Sequence, residues 1–347
     1  MLTQLIDWSI ALLPVLLMAM IFSWLDVFKL MSKSEMLALL LVGALAALLA
    51  WPVSGRMLDT LPIGYSFYSR FVAPWIEEAL KGLAVALLFL SNRIGYKLDA
   101  IISGFAVGAG FSVVENILYL VRYSELPVSV WLVRGLGTAV MHGATAAILA
   151  ALAHELAERT LRAEGRRGFN PLWLVPGYAV AGLLHLIFNQ FPDYPTEVML
   201  ATLATAPALL VAVMHFGERE AHRWLEEESR SHRLWLAQWE DGGFPDDPSG
   251  QRIKALCERV SPGEAGLIRD FCRLKTQLVL IAEEELFDRD RRLEQGESER
   301  VRSLLARLGR AERDLGRAGQ AALRPLLPFS RNDDWELSEL RELVERD

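Results

Sequence analysis

Residues 68–91 read YSRFVAPWIEEALKGLAVALLFLS. The stretch has the length of a membrane-crossing helix, about 20 residues. Yet it carries Glu77, Glu78 and Lys81 near its middle. Ionisable side chains in lipid are costly and mark a cavity or a site. Glu77 and Lys81 stand four apart on one helix face, which predicts an ion pair between them. Glu78 points about 100° away, which leaves it freer to take up a proton.

Similar apolar runs surround this one. The pattern places seven spans at about 7–28, 37–54, 68–91, 99–121, 131–154, 171–191 and 197–216. No positive charge precedes the first run, and Asp7 is the only charged residue before residue 26. That run is also too long for a signal-peptide core, so it reads as a span. The joints carrying Lys29 and Lys33, Arg93 and Lys97, and Arg159, Arg162, Arg166 and Arg167 alternate with poorer ones carrying Arg56 and Arg70, then Arg122 and Arg134. The Lys and Arg bias predicts an N-terminus outside and a cytoplasmic C-terminus.

The chain of 347 residues is 52% hydrophobic, with a mean hydropathy of +0.24. Its charge is uneven: residues 217–347 hold 29 acids and 23 Lys or Arg, and residues 1–216 hold 14 and 13. The expected fold is an all-α polytopic membrane bundle of about seven transmembrane helices over 1–216, followed by a soluble helical region over 217–347. Neither part is basic enough for nucleic acid. Cys257 and Cys272 read as reduced thiols.

Other polar groups recur inside the apolar spans. Glu115 and Asn116 are adjacent in the fourth span, and His142 precedes Gly143 in the fifth. His185 and Asn189 lie four apart on one face of the sixth. Gly104, Gly108 and Ser112 form a row suited to close helix packing. At about 1.5 Å per residue, Glu77, Glu78, Glu115, His142 and His185 lie within roughly 10 Å of one another in depth, in the outer half of the bilayer. Antiparallel helices then bring them to one pocket. A carboxylate there can deprotonate water, with Glu78 the first choice and Glu77 its support against Lys81. The histidines and Asn189 can support an oxyanion, and Asn116 stands beside Glu115. Glu78, Glu115, His142 and His185 are candidate metal ligands, zinc among the ions they suit. Metal-assisted and metal-free carboxylate chemistry both fit. No span holds a convincing serine nucleophile, and the chain has no His-Glu-x-x-His helix. Proton-coupled transport and a non-catalytic scaffold are the alternatives, although the paired broken helices of many transporters are absent.

Glu77-Glu78-x-x-Lys81, Phe111-x-x-x-Glu115-Asn116, His142 and His185 together resemble the PrsW family of intramembrane proteases, within a clan that includes the CAAX prenyl endopeptidases. The resemblance covers about residues 60–216, and His185-x-x-x-Asn189 is similar to the clan's last element. Lys81 and Glu115-Asn116 depart from the CAAX pattern and point to PrsW. The resemblance implies proteolysis near the outer leaflet of a bacterial inner membrane, on single-span substrates such as an anti-sigma factor.

Beyond residue 216, His222–Trp239, Gly266–Leu286 and Gly296–Leu315 have helical patterning, with a break at Asp241–Gly250. Ser261-Pro262-Gly263-Glu264 is a helix start with a capping-box acid. This region is expected to be a small helical domain that binds a partner or a second protomer.

Overall fold

The computed structural model describes residues 2–25, 33–91, 93–123, 125–164, 170–215, 218–287, 295–329 and 331–346. Lys29, Arg166 and Arg167, which enter the charge count above, lie outside them. Among the described residues all regular structure is helical. Contacts divide the chain into two compact units, Met1–Gly217 and Glu218–Asp347.

The first unit contains α1 (Leu2–Leu25), α2 (Lys33–Thr60), α3 (Ala73–Leu90), α4 (Lys97–Arg122), α5 (Ala139–Glu164), α6 (Leu174–Phe188) and α7 (Pro195–His215). Helices α4 and α5 form its buried centre and pack along each other. Around them stand α2 and α1 against α4, and α6 and α7 against α5. Helix α3 packs against α2 and α6. The contact between α4 and α5 needs a missing side chain. A Cβ on Gly108 would lie 2.0 Å from the carbonyl oxygen of His142. Glycine at 108 therefore sets how near His142 comes to α4. At the start of α4, Asp99 Oδ2 accepts from the N–H groups of Gly95 (3.2 Å) and Tyr96 (3.0 Å).

Among the described residues five helical stretches are long and apolar enough to cross a membrane: Lys33–Thr60, Lys97–Arg122, Val128–Thr160, Pro171–Phe188 and Pro195–His215. The protein is an integral membrane helical bundle, but this corrects the count of seven. The two stretches that drop out have different causes. Helix α3 has only 18 residues and carries Glu77, Glu78 and Lys81. In α1 the apolar segment that qualifies is the shorter Leu5–Met18.

Two helices of this unit begin with widened π-type turns, at Tyr68–Val72 before α3 and Val133–Thr138 before α5. The first has a visible cause. Pro74 has no N–H, so the Ser69 carbonyl cannot be met by the residue five positions on. The side chain of Asn189 donates to that carbonyl instead, at 2.9 Å. Such turns are frequent at functional sites.

Among its described residues the second unit has five α-helices: α8 (Glu218–Glu240), α9 (Pro248–Cys257), α10 (Pro262–Phe287), α11 (Gln295–Leu323) and α12 (Arg331–Arg346). Helix α11 is broken at Gly316, whose φ of +64° favours glycine. The capping box forms: Ser261 N–H donates to Glu264 Oε2 (3.0 Å), and Glu264 N–H donates to Ser261 Oγ (3.3 Å). Trp235, Ile253, Phe271, Leu278, Leu308 and Phe329 share one apolar core. Cys257 and Cys272 are free and buried.

His232 is buried within this unit. Its Nδ1 lies 2.7 Å from Glu283 Oε1, and its Nε2 lies 3.9 Å from Asp333 Oδ2. Ser229 Oγ donates to Glu283 Oε2 at 2.6 Å. The three residues His232, Glu283 and Asp333 are close enough to be considered as a metal set. The carboxylates, however, meet opposite ring nitrogens, an arrangement that suits an imidazolium between two anions better than one shared ion. Burial disfavours the charged ring, but the Glu283 hydrogen bond and the charges of Asp333 and Glu283 outweigh it and raise the His232 pKa. A raised folded-state pKa gives stability that is complete below the unfolded value of about 6.5 and is lost as pH rises through the folded value. His232→Gln is expected to destabilise this unit by about 1–3 kcal/mol, because it leaves a buried carboxylate short of a donor. The variant should also flatten the stability-versus-pH curve above about pH 6.5, read by hydrogen exchange on the full chain with intrinsic rates corrected. An unchanged slope would refute the assignment.

Candidate active site

The ionisable residues of α3 do not pair as their spacing predicts. Lys81 Nζ lies 2.5 Å from Glu78 Oε1, and both side chains are fully buried. This i,i+3 pair replaces the expected Glu77–Lys81 pair. Residues three and four apart are both helix neighbours, and the partner helix decides between them. Thr145 and His142 of α5 supply two further acceptors for Lys81, Thr145 Oγ1 at 3.5 Å and His142 Nδ1 at 2.9 Å. The three N–H bonds of the ammonium thereby meet three acceptors.

Glu78 Oε1 also accepts from His185 Nδ1 (2.9 Å) and Thr145 Oγ1 (3.1 Å). A histidine that donates from Nδ1 leaves Nε2 as the acceptor atom in its neutral form. That Nε2 lies 3.8 Å from Glu77 Oε2. On His142 the order differs. Its Nδ1 accepts from Lys81, so its Nε2 carries the proton and donates to Glu115 Oε2 at 2.9 Å. Glu115 Oε1 lies 3.1 Å from Arg134 Nη2. The two imidazoles meet edge to face with ring centres 4.9 Å apart.

The structure therefore joins Glu77, Glu78, Lys81, Glu115, His142 and His185 in one polar chain. Each histidine has a carboxylate on one ring nitrogen, and each of these carboxylates has a cation. A cleft of about 780 Å³ runs beside this chain, and Glu77, Glu115, Arg134, His142, His185 and Asn189 are among its walls. Glu78 and Lys81 are not. Asn189 reaches the cleft with one N–H committed to Ser69 O. Asn116 stands behind the wall and donates from Nδ2 to the carbonyls of Ala11 (2.9 Å) and Arg134 (3.3 Å).

The candidate metal set also shifts. Glu77, His142 and His185 offer ligand atoms within 4.8 Å of one another, whereas Glu78 and Glu115 do not belong to that group. Two ligands on one tetrahedral zinc stand about 3.4 Å apart, close to the 3.8 Å between Glu77 and His185. The Glu78 hydrogen bond to His185 Nδ1 is the carboxylate support that metal-bound histidines usually have. A neutral imidazole ligates through its unprotonated nitrogen, so His142 fits once Lys81 gives up its contact with Nδ1. The donor set thus suits a divalent transition metal.

The family model for PrsW intramembrane metalloproteases matches residues 32–216, more than half of the chain and all of the cleft residues named above. The chain belongs to the PrsW family. No curated protein and no solved structure matches it. As a PrsW protease it is a hydrolase of membrane-protein substrates, and its His and Glu residues have a general capacity for metal.

The sequence reading missed Arg134 and Thr145 in this PrsW site. Arg134 entered only as a loop charge. A cation just inside an apolar span, followed by Gly135 and Gly137, was the available signal. Thr145 lies three residues after His142, on the same helix face.

Lys81→Met would leave Glu78 buried without its cation, and loss of one partner of a buried pair costs about 3–5 kcal/mol. The double variant Lys81→Met/Glu78→Leu is expected to recover most of that loss. Reversible unfolding in bicelles measures both. Equal stability of the single variant and wild type would remove the pair from the structural account.

Proposed function

We propose that this PrsW protease is an intramembrane endopeptidase that cuts membrane-protein substrates near the outer leaflet, with water activated by the cleft's Glu and His residues. The observation that carries the reading is the pair of buried histidine–carboxylate couples beside one cleft inside an apolar bundle. Such a site can hold water, remove its proton and support charge on a peptide carbonyl. In this reading the bundle and its charged C-terminal region divide at about residue 216. The bundle sits in a bacterial inner membrane with the N-terminus outside and the C-terminal region in the cytoplasm, as the Lys and Arg bias supports.

Glu77, His142 and His185 would hold the metal, and zinc suits two imidazoles and a carboxylate. A bound zinc would supply a Lewis acid and lower the pKa of water. Glu78 holds the His185 ring through Nδ1, and Lys81 neutralises Glu78. Glu115 is the proton acceptor in this scheme. It lines the cleft with Oε2 beside His142. The water oxygen bonds to the scissile carbonyl carbon while its proton passes to Glu115 Oε2. The C–N bond then breaks, the proton moves to the leaving nitrogen, and a new carboxyl and amine are left. Glu78, the residue first favoured as base, is a positioning residue because three donors meet its Oε1 and it does not border the cleft. A single-span protein of the anti-sigma-factor kind suits the site as substrate. The C-terminal region is a candidate surface for a partner or a second protomer.

Purified full-length protein in liposomes should cleave single-span substrates. Glu77→Gln and Glu115→Gln should each lower the rate by about 100-fold or more, with thermal unfolding close to wild type. A chelator should abolish cleavage, and added zinc should restore it. Wild-type rates in Glu77→Gln would overturn the proposal, and chelator resistance would remove the metal from it.

A further inference from the structure

Arg134 has no part in the scheme above, yet the structure restrains it from several sides. Its side chain is 14% exposed, on the widened turn Val133–Thr138. Its guanidinium carbon sits 3.6 Å from the centre of the Tyr119 ring. The Tyr119 hydroxyl is 3.2 Å from that of Tyr65. The Arg134 backbone carbonyl accepts from Asn116, whose amide also reaches α1. The turn packs closely on α1 as well, since a Cβ on Gly135 would lie 2.1 Å from Ile10 O. Backbone and side chain are therefore both held before any ligand enters.

What Arg134 holds in turn is Glu115. The carboxylate has one oxygen 3.1 Å from Arg134 Nη2 and the other 2.9 Å from His142 Nε2. Among the described residues Arg134 Nε and Nη2 have no well-angled hydrogen-bond acceptor, so the tie to Glu115 is charge attraction at short range. In a water-poor site that attraction is screened little. Without it, no other group among the described residues fixes the Oε1 side of Glu115. A guanidinium stacked on an aromatic ring is a stiff support, because its plane is set by the ring.

We propose that Arg134, clamped over Tyr119, is a positioning residue that holds the Glu115 carboxylate against His142. It serves this couple as Lys81 serves Glu78 and His185. The inference rests on the hydrolytic reading for its kinetic consequence. Its geometric content concerns only the orientation of Glu115 and His142.

The test uses the full-length protein in liposomes with a cleavable single-span substrate. Arg134→Met, Arg134→Lys, Glu115→Gln and the double variant Arg134→Met/Glu115→Gln are compared for kcat and KM. Zinc affinity is measured in parallel by chelator competition. Arg134→Met should lower kcat and zinc affinity by about 10–100-fold each, as loss of an outer support does. KM should move by less than about threefold, because no lost contact is to substrate. Arg134→Lys should recover much of the loss by restoring the charge. Arg134→Met should add little in the Glu115→Gln background, since the two act as one unit. A raised KM with unchanged kcat, or losses that multiply in the double variant, would overturn the clamp. Wild-type cleavage by Glu115→Gln would defeat the assignment of Glu115 as proton acceptor and leave the clamp to be judged on zinc affinity. There, an unchanged value in Arg134→Met overturns it. If Arg134→Met does not fold, Tyr119→Leu removes the stacked ring and keeps the charge. It should lower kcat about 2–30-fold, and an unchanged kcat would count against the clamp.

Discussion

The buried contact between Lys81 and Glu78 constrains the rest of the site. Two opposite charges without solvent exposure are tolerable only if the remaining donors and acceptors are met. Lys81 meets this demand through Thr145 and His142 of α5, and Glu78 meets it at Oε1 through His185 of α6 and Thr145, while its Oε2 is buried without a hydrogen-bond partner among the described residues. The pair therefore brings two other helices to fixed distances from α3. It also sets which nitrogen of each imidazole bears the proton. His185 turns Nε2 towards Glu77, and His142 turns Nε2–H towards Glu115. From one ion pair, then, follow the tautomers that decide where a metal or a water can be held.

The packing of the bundle serves the same distances. Gly108 lets α4 approach the backbone of His142, which brings Glu115 and His142 within hydrogen-bond reach. The two widened turns change the helical phase just before Glu77 and just before His142. Pro74 frees a carbonyl that Asn189 then occupies, so the His185-x-x-x-Asn189 spacing joins a ring at the site to a repair of the neighbouring helix. The turn before α5 places Arg134 beside Tyr119 and Glu115.

Much of the site was legible in the sequence because helical rise is regular. Counting residues inward from the ends of apolar runs put the glutamates and histidines at similar depth, and the structure brings them together. The choice between Glu77 and Glu78 as partner of Lys81 was not legible. Both lie on neighbouring rows of the helix, and the deciding acceptors belong to α5, more than sixty residues later. Arg134 was missed because it counts among the joint charges at the edge of a span, and nothing in the regular period marks the widened turn that carries it. The span count failed in part because the site residues Glu77, Glu78 and Lys81 charge α3, which has only 18 residues, while in α1 the apolar segment is short. In the C-terminal unit the helix starts were readable from local chemistry. The buried His232 was not, because Glu283 and Asp333 come from distant parts of the chain.

The charged α3 has a consequence for how the protein is made. A helix with three ionisable residues is a poor candidate for entering lipid alone, since each costs about 2.5–3.5 kcal/mol at mid-membrane on insertion scales. Lys81 and Glu78 can offset part of this within α3 as soon as it is synthesised. Their remaining partners are not yet available: His142 follows Lys81 by 61 residues, and His185 follows Glu78 by 107. Until those helices leave the ribosome, α3 has no complete polar environment in the bilayer. Stable integration of the segment is therefore a late, collective event tied to the arrival of α5 and α6. The same residues that form the site also schedule the assembly of the membrane domain.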